Sequence, residues 1–315
     1  MYILGFDIGG TKCATITAQW DGRNITILKK EQCPTDLSIS PEEMIKKLIT
    51  MADSILEKKP DKIGISCGGP LDSSRGLILG PPNLPGWNHV AITEELERHY
   101  GVSAKLQNDA NACAVAEWKF GAGKGKNNMV FLTFGTGLGA GLILDGKLYS
   151  GTNDNAGEVG HVRLEKVGPV GYGKPGSFEG FCSGGGIAQL GYSMALEKAQ
   201  TGVCPLYYKK GMSQKDITAK TIADAARLGD ETALKVYRTC GTYLGKGLSL
   251  IIDLLNPQLI VIGSVFTRCE DLLWETAKKE IEIEALRQSA SCCQVVPAAL
   301  GEQIGDYAAV AVALS

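Results

Sequence analysis

Residues 2–12 read Tyr-Ile-Leu-Gly-Phe-Asp-Ile-Gly-Gly-Thr-Lys, and this stretch decides the fold. The bulky apolar residues of 2–8 predict a buried strand, and the glycines that follow predict a tight turn. The same pattern returns at 129–141, where an apolar strand over Met129–Phe134 runs into a glycine-rich turn. Each copy continues into another strand and an Asp-Gly hairpin, so the chain is predicted to contain two similar α/β domains.

The elements outside these copies fit the same α/β class. Ser40-Pro41-Glu42-Glu43 predicts a helix start with a capping box. Asp230 is predicted to cap a helix that runs to about Leu255, and a strand is predicted over 259–262. The last predicted element is a short helix over 306–314.

The composition is that of an ordinary globular protein, with 44% hydrophobic residues, 21% charged residues and a net charge of −2. The near-neutral charge predicts neither a nucleic-acid nor a membrane partner. There is no basic, apolar leader at the N-terminus, and no apolar stretch is long enough to span a bilayer. We interpret the ten scattered cysteines as free thiols in a reducing compartment, which predicts a cytoplasmic protein.

The first glycine turn carries groups that suit a phosphate and a magnesium ion. Gly9 and Gly10 let backbone N–H groups approach a phosphate closely, and Thr11 and Lys12 add a hydroxyl and a positive charge. Asp7 offers the carboxylate oxygens that hydrated magnesium prefers. An ordinary tight hairpin would use the same residue types, so this motif alone leaves both interpretations open.

The second glycine turn, Gly135-Thr136-Gly137, is a candidate for a second phosphate contact. A dinucleotide-binding fingerprint would need a helix after the glycines, whereas residues 140–144 read as a strand that runs into an Asp-Gly turn. The sequence therefore argues against a dinucleotide site and favours two glycine turns that hold one triphosphate.

Asp109 is the candidate catalytic residue. It follows a short predicted strand over 104–106 and is predicted to open a helix within the segment 108–112. An aspartate in this position can accept a proton from a substrate alcohol, as a general base does in phosphoryl transfer. Capping the helix is the commoner task of such an aspartate, and position alone does not separate the two roles.

Four further polar side chains are candidates for binding a ligand. Glu158, His161 and Glu179 lie in a glycine-rich stretch, and Asn83 lies in the rigid loop 82–87. Two acids, a histidine and an amide offer the donors and acceptors that a polyhydroxylated ligand needs. A lone histidine is more often structural, and the loop would equally serve as a surface turn.

Six motifs, in order along nearly the whole chain, resemble those of the ROK sugar kinases (repressors, open reading frames and kinases). This family includes glucokinases, fructokinases, allose kinases and N-acetylmannosamine kinases. The motifs are Asp7–Lys12, Gly68-Gly69-Pro70 with Asn83–Trp87, Asn108–Ala112, Thr133–Gly141, Gly157–His161 and Ile260–Ser264. The resemblance implies the actin-like (ribonuclease H-like) ATPase fold, with ATP and a sugar in the cleft between two lobes. We expect the lobes to comprise 1–118 plus 302–315 and 119–301.

The resemblance also implies roles for single residues. Asp109 matches the general base of the family, and magnesium is expected on Asp7, directly or through water. The positions that match sugar contacts are Gly69, Asn83, Asn108, Asp109, Glu158, His161 and Glu179. The positions that match nucleotide contacts are Asp7, Gly9, Gly10, Thr11, Lys12, Thr133, Gly135, Thr136, Gly137 and Gly263. The implied reaction transfers the γ-phosphoryl group of ATP to a hexose or N-acetylhexosamine hydroxyl, usually on carbon 6, and the family analogy implies a homodimer.

One departure from the family concerns zinc. Many members bind structural zinc through a histidine and three cysteines between His161 and Glu179, but the corresponding positions here are Val170, Tyr172 and Ser177. These residues supply no thiolate, so we expect no zinc and expect His161 to serve the sugar.

Three alternatives stand beside the kinase. Family regulators carry a DNA-binding segment ahead of the kinase-like part, whereas this sequence reaches Asp7 directly. A sugar-binding sensor without kinase activity would have no need of Asp7, Asp109 and both glycine turns. Another ATP-dependent activity would have no need of Glu158, His161 and Glu179.

Overall fold

The computed structural model describes residues 1–315. The strands are β1 (Tyr2–Ile8), β2 (Lys12–Trp20), β3 (Ile25–Pro34), β4 (Lys62–Cys67), β5 (Leu71–Asp72), β6 (Leu77–Leu79), β7 (Asn88–Ala91), β8 (Ala104–Asn108), β9 (Met129–Phe134), β10 (Leu138–Leu144), β11 (Lys147–Tyr149), β12 (Val170–Gly171), β13 (Lys174–Pro175), β14 (Leu259–Ile262) and β15 (Gln294–Pro297). The helices are α1 (Pro41–Ile55), α2 (Ile92–Tyr100), α3 (Asp109–Phe120), α4 (Phe178–Phe181), α5 (Gly184–Gln200), α6 (Ala219–Arg227), α7 (Glu231–Leu255), α8 (Val265–Glu284), α9 (Arg287–Cys292) and α10 (Ile304–Val312).

Two five-stranded sheets share one strand order. The first has the order β3-β2-β1-β4-β8, and the second has the order β11-β10-β9-β14-β15. In the first sheet, β1 is antiparallel to β2 and parallel to β4. In the second sheet, β10 is antiparallel to β11, and β9 is parallel to β14. The repeat predicted from the sequence is therefore present in the topology of the two sheets.

The chain divides into two compact units. Unit 1 comprises Met1–Asn127, Gly141–Ala156 and Ala299–Ser315, and unit 2 comprises Asn128–Ala140 and Gly157–Ala298. Residues 119–127, 141–156 and 299–301, which were expected in the C-terminal lobe, thus belong to unit 1.

Close packing and hydrogen bonds explain why residues 141–156 lie with unit 1. A side chain at Gly141 would collide with Ala110 O and with the Ala114 side chain, both in α3. Farther along this segment, Ser150 Oγ accepts a hydrogen bond from Gln107 Nε2 at 3.3 Å. The start of α3 is therefore built against this hairpin.

The first sheet is buried on both faces. Alternate residues of a strand point to opposite faces, so Leu4, Phe6 and Ile8 join one core, which includes residues of α1. Ile3 joins a second core that includes residues of α10. Asp7 has the same parity as Ile3, so it lies on the α10 face, near the carboxyl end of β1. Asp7 thus lies at the end of β1 that follows the apolar core residues of the strand.

The helix caps follow the sequence prediction. Ser40 Oγ accepts from Glu43 N at 3.2 Å, and Ser40 N donates to Glu43 Oε2 at 3.0 Å, which completes the capping box. Asp230 caps α7 by accepting a hydrogen bond from Ala233 N at 2.8 Å. Caps of this kind contribute about 0.5–2 kcal/mol each. None of the helices combines the length and apolar character that crossing a membrane requires.

Helix α7 organises unit 2 through glycines that let neighbours approach. A side chain at Gly247 would collide with the Phe178 ring of α4, and one at Gly245 would collide with Glu280 Cβ of α8. Glycine in a helix interior costs roughly 0.5–1 kcal/mol relative to alanine, so close approach explains its presence here. Packing of Phe178 on α7 fixes the short helix that carries Glu179.

Candidate active site

The first glycine turn and the loop of Asn83 lie together in unit 1. A hydrogen bond from Gly9 N to Lys12 O at 3.1 Å closes the turn. A side chain at Gly10 would overlap the Asn83 backbone, and one at Gly68 would begin 3.3 Å from Asn83 Oδ1. Close approach therefore requires glycine at position 10. The predicted phosphate turn and the predicted sugar-side loop are in direct contact.

The outer residues of this region face solvent. Thr11, Lys12, Gly69 and Asn83 are exposed, whereas Gly9 and Gly10 are half-buried. Exposed donors beside a fixed backbone turn are available to a ligand, so the candidate residues from both motifs are positioned to act on one.

Asn108, and not Asp109, caps α3. Asn108 Oδ1 accepts a hydrogen bond from Asn111 N at 2.8 Å, and Asn108 Nδ2 donates to Asp154 O at 3.4 Å. Both ends of this amide, which was predicted to contact sugar, are thus engaged within unit 1. Asp109 is the first helical residue and accepts a hydrogen bond from Ala110 N at 2.8 Å. The capping interpretation of Asp109 is therefore wrong, and its side chain is exposed.

A polar network stiffens the start of α3. Asn111, which is fully buried, donates from Nδ2 to Gln107 Oε1 at 3.1 Å. Gln107 is itself bonded to Ser150, as described above. Asn111 Oδ1 is buried without a hydrogen-bond partner, so the network holds the start of α3 through the amide nitrogens of Asn111 and Gln107. Asp109 therefore stands on a hydrogen-bonded helix start.

Two acids in unit 1 have raised pKa values. Burial is the largest cause for Asp7, and the negative charges of Asp306 and Asp109 add to it, whereas Lys30 and Lys12 oppose it. Together they raise the pKa of Asp7 to about 7. Desolvation by the surrounding protein also raises the pKa of Asp109, although its carboxylate remains open to solvent. Clustered acids with perturbed pKa values are typical of functional sites.

The carboxylate of Asp7 is a suitable ligand for magnesium. Burial and neighbouring charges are the main influences on the carboxylate of Asp7, and no hydrogen bond is among them. Magnesium prefers hard oxygen ligands, keeps several waters and binds through one or two carboxylates together with substrate phosphates. No three or more His, Cys, Asp or Glu side chains form a closed cage, so Asp7 would be the main protein ligand, directly or through water.

The second glycine turn is tied to Glu179 within unit 2. Gly135 N donates to Gly137 O at 3.0 Å, and Leu138 N donates to Glu179 Oε2 at 3.0 Å. A side chain at Gly137 would begin 2.7 Å from the same carboxylate oxygen. Glu179, predicted to contact sugar, therefore also supports the turn predicted to contact phosphate.

Glu158 and His161 lie beside Glu179 in unit 2. Both are exposed and flank Gly160 in a 3-10 turn. A side chain at Gly160 would begin 3.2 Å from Glu179 Cβ, so the three polar candidates lie in one region. The His161 ring meets the Tyr172 ring edge to face, with centroids 6.3 Å apart.

The segment 162–178 is held by hydrogen bonds to α4 and α5. Val170 N donates to Gln189 Oε1 at 3.0 Å, and Gln189 Nε2 donates to Val170 O at 2.8 Å. Ser177 is buried and caps α4 by accepting from Gly180 N at 3.1 Å. Tyr172 is exposed on a turn with φ 43°. These interactions account for the conformation of the segment with the side chains that are present.

Unit 2 also contains a cavity of about 730 Å³. Glycine turns, apolar side chains and a charged rim line it, contributed by Gly135, Thr136, Gly184, Gly185, Ala188, Ile217, Ala223, Val265, Lys220, Asp224, Arg227 and Arg268. Apolar walls with a few polar groups are typical of small-molecule sites. The second glycine turn is part of this cavity, so a ligand there would lie next to that turn.

The motif Ile260–Ser264, which contains the nucleotide candidate Gly263, borders the same cavity. Gly263 is buried at the end of β14, and the next residue, Ser264, lines the cavity. Ser264 has φ 58°, an uncommon backbone conformation for a residue other than glycine, and its Oγ accepts from Arg268 at 3.2 Å. Thr133, the remaining nucleotide candidate, uses its Oγ1 to accept from Gly139 N at 3.0 Å.

Sequence reasoning missed two groups near these candidates. Asp306 and Lys30 form an ion pair of 2.6 Å in unit 1, and the charge of each acts on Asp7. The charged rim of the cavity was also missed. No local pattern marks either group, because tertiary packing alone brings residues so far apart in sequence together.

The repeated sheet order, with a glycine turn after the central strand of each sheet, is that of the actin-like ATPase fold, to which related sugar kinase structures belong. The chain belongs to the ROK family, whose model matches residues 3–315.

Relatives with kinase and repressor functions align with most of the chain. A glucokinase from Thermotoga maritima is 31% identical over 98% of this chain and 96% of its own length. The xylose repressor of Bacillus spizizenii is 26% identical over 96% of this chain and 74% of its own length. A ROK family glucokinase from Streptomyces griseus, solved with glucose and AMPPNP, has 28% identity and a TM-score of 0.79 and covers 100% and 99% of the two chains.

Proposed function

We propose that this chain is an ATP-dependent sugar kinase that transfers the γ-phosphoryl group to a hexose or N-acetylhexosamine hydroxyl, the one on carbon 6. The observation that carries the proposal is Asp109, an exposed carboxylate on a rigid helix start whose capping task Asn108 has taken over. Its proximity to a second acid, Asp7, supports phosphoryl transfer in particular. The glucokinase relatives support the same class of reaction.

In the proposed reaction Asp109 accepts the proton of the sugar hydroxyl as the oxygen attacks the γ-phosphorus. A raised pKa makes its carboxylate a better proton acceptor than an ordinary aspartate, provided that it is ionised. Because hydrogen bonds hold the start of α3, the base is oriented before the substrate arrives, which lowers the entropic cost of reaching the reactive geometry.

The nucleotide is proposed to use both glycine turns and the cavity of unit 2. Gly9, Gly10, Thr11 and Lys12 are assigned to phosphates, as are Thr133 and the turn 135–137. The apolar walls of the cavity suit an adenine ring, with Gly263 at its border. Magnesium, held through Asp7, would neutralise charge on the phosphates when bound.

The sugar is proposed to contact Gly69, Asn83, Asn108, Glu158, His161 and Glu179. Exposure supports Gly69, Asn83, Glu158 and His161 as direct contacts. Asn108 and Glu179 already make backbone hydrogen bonds, so any sugar contact would use their remaining capacity.

We infer that the segment 162–178 needs no zinc. The hydrogen bonds of Val170 and Ser177 support this, since they hold the segment without a metal. Metal analysis of the purified protein should find well below one zinc per chain, and one equivalent would overturn the inference.

The experiment for the kinase is an ADP-release assay with Mg-ATP and a panel of hexoses and N-acetylhexosamines. Asp109→Asn should lower sugar-dependent turnover by roughly 10²–10⁴, the usual contribution of a general base. Asp53→Asn is the matched control, because Asp53 is a surface carboxylate paired with His99 at 3.2 Å. No sugar-dependent ADP release from the wild-type protein would contradict the proposal.

A second candidate is a sugar-binding sensor of the same family. Its support is the alignment of the xylose repressor with 96% of this chain. Calorimetry with the same panel measures sugar binding, and the ADP-release assay measures turnover. A sensor would bind a sugar without turnover, whereas a kinase would show both.

A further inference from the structure

Asp306 lies beside Asp7 in unit 1. It belongs to the first turn of α10, and its neighbour Gly305 is packed against Asp7, since a side chain at Gly305 would begin 3.1 Å from Asp7 Oδ2. The helix start therefore approaches the acid with no side chain between them. Among the charged groups around Asp7, Asp306 acts on it most strongly.

Lys30, which lies on strand β3, forms an ion pair with Asp306. Lys30 Nζ lies 2.6 Å from Asp306 Oδ1, and the Asp306 side chain is only 13% exposed. Lys30 is directly opposite Ile16, and Asp7 is directly opposite Ala14, so Lys30 and Asp7 share one face of the sheet. The ion pair and the acid are thus assembled by β1, β3 and α10 on that face.

The two charges of the pair act on Asp7 in opposite directions. A negative charge beside a carboxylate strengthens the attraction of the site for a divalent cation, and a positive charge weakens it. Because the groups are partly buried, solvent and salt screen these effects less than they would at the open surface.

We propose that Asp306 and Lys30 are positioning residues that set the affinity of Asp7 for the divalent cation, Asp306 raising it and Lys30 limiting it. The inference rests on the proposed kinase function for its purpose, but not for its measurement. An ion pair that served only stability would give both residues the same sign of effect when removed, whereas an electrostatic role gives them opposite signs.

The test measures Mn²⁺ binding by electron paramagnetic resonance to the full chain with ADP present. Asp306→Asn should weaken Mn²⁺ binding by about threefold to thirtyfold, and Lys30→Met should tighten it by about twofold to tenfold. The double variant should return close to the wild-type affinity, because the two charges leave together.

Lys29→Met is the matched control. Lys29 is the neighbouring residue of β3, points to the other face and pairs with Glu57 at 3.0 Å on the surface. Its loss should leave Mn²⁺ affinity unchanged. Circular dichroism melts identify any variant that fails to fold, and the other single variant then carries the test through the sign of its shift.

Weaker Mn²⁺ binding in both single variants, or no change in either, would overturn the proposal. The outcome is separable from that of the kinase assay. Opposite shifts in Mn²⁺ affinity without any sugar-dependent turnover would uphold the pair and reject the kinase. Normal turnover with unshifted Mn²⁺ affinity would uphold the kinase and reject the pair.

Discussion

The two sheets have the same strand order, yet the central strands end in different chemistry. In the first sheet the residue two places before the glycine turn is Asp7, whose carboxylate is free of hydrogen bonds within unit 1. In the second sheet the equivalent residue is Thr133, whose hydroxyl is bonded to Gly139 N at 3.0 Å. The first sheet thus places an acid without a hydrogen bond before its turn, and the second sheet places a hydroxyl that is bonded to the backbone. The two copies share a glycine turn and differ in the side chain placed before it.

The surroundings of the two turns differ in the same way. Burial raises the pKa of Asp7, and two further acids near it, Asp306 and Asp109, raise it more. The second turn opens instead into a cavity with apolar walls and a charged rim. Raised pKa values suit proton transfer and cation binding, whereas an apolar cavity suits a planar base.

The largest difference between the copies should appear when the two equivalent residues are replaced. Asp7→Asn should lower kcat by about 10²–10³, similar to the loss of one group that stabilises the transition state. Thr133→Val should cost much less, because the Thr133 hydroxyl already accepts from Gly139 N and donates to Gly139 O, which leaves little capacity for a phosphate. Steady-state kinetics of both variants with varied ATP measure the effect. Equal losses of kcat in the two variants would contradict the proposed difference between Asp7 and Thr133.

Replacing one glycine in each turn by alanine compares how tightly the two turns are packed. Gly10→Ala should reduce kcat/KM by about a hundredfold, since its methyl group would meet the Asn83 backbone, which cannot move away cheaply. Gly137→Ala should cost about tenfold or less, because it meets the flexible end of Glu179. A larger loss for Gly137→Ala, in properly folded protein, would contradict this account of the turns.

The smallest predicted effect concerns stability. Burial, with the negative charges of Asp306 and Asp109, raises the pKa of Asp7 from its ordinary value of 3.8 to about 7, so the folded state holds the proton more tightly. The stability that this group contributes is fully present below pH 4 and is lost as the pH rises through 7. Without metal or nucleotide, Asp7→Asn should therefore be more stable than wild type at pH 8, by about 1–3 kcal/mol.

Urea unfolding of both proteins at pH 4 and at pH 8 checks this prediction. The advantage of the variant should shrink towards zero at the lower pH. An advantage that is the same at both pH values would mean that the charge of Asp7 is not its source.

Much of the fold was predictable because its signals are local. The strand-and-glycine repeat, the capping box at Ser40 and the cap at Asp230 all depend on neighbours within a few residues. The candidate site was predictable only in part. Local sequence could not decide whether Asn108 or Asp109 caps α3, because both residues are good caps. Asp306 and Lys30 could not be found at all, since only the packing of α10 on the sheet brings them to Asp7.

The proposed kinase reaction depends most on Asp109 acting as the general base rather than as a structural residue. Rapid-quench measurement of γ-phosphoryl transfer in a single turnover isolates the chemical step from binding and product release. Asp109→Asn is expected to slow this step by roughly 10²–10⁴ while the affinities for sugar and nucleotide stay close to those of the wild type. A variant that transfers phosphate at the wild-type rate would contradict the role of Asp109 as the general base.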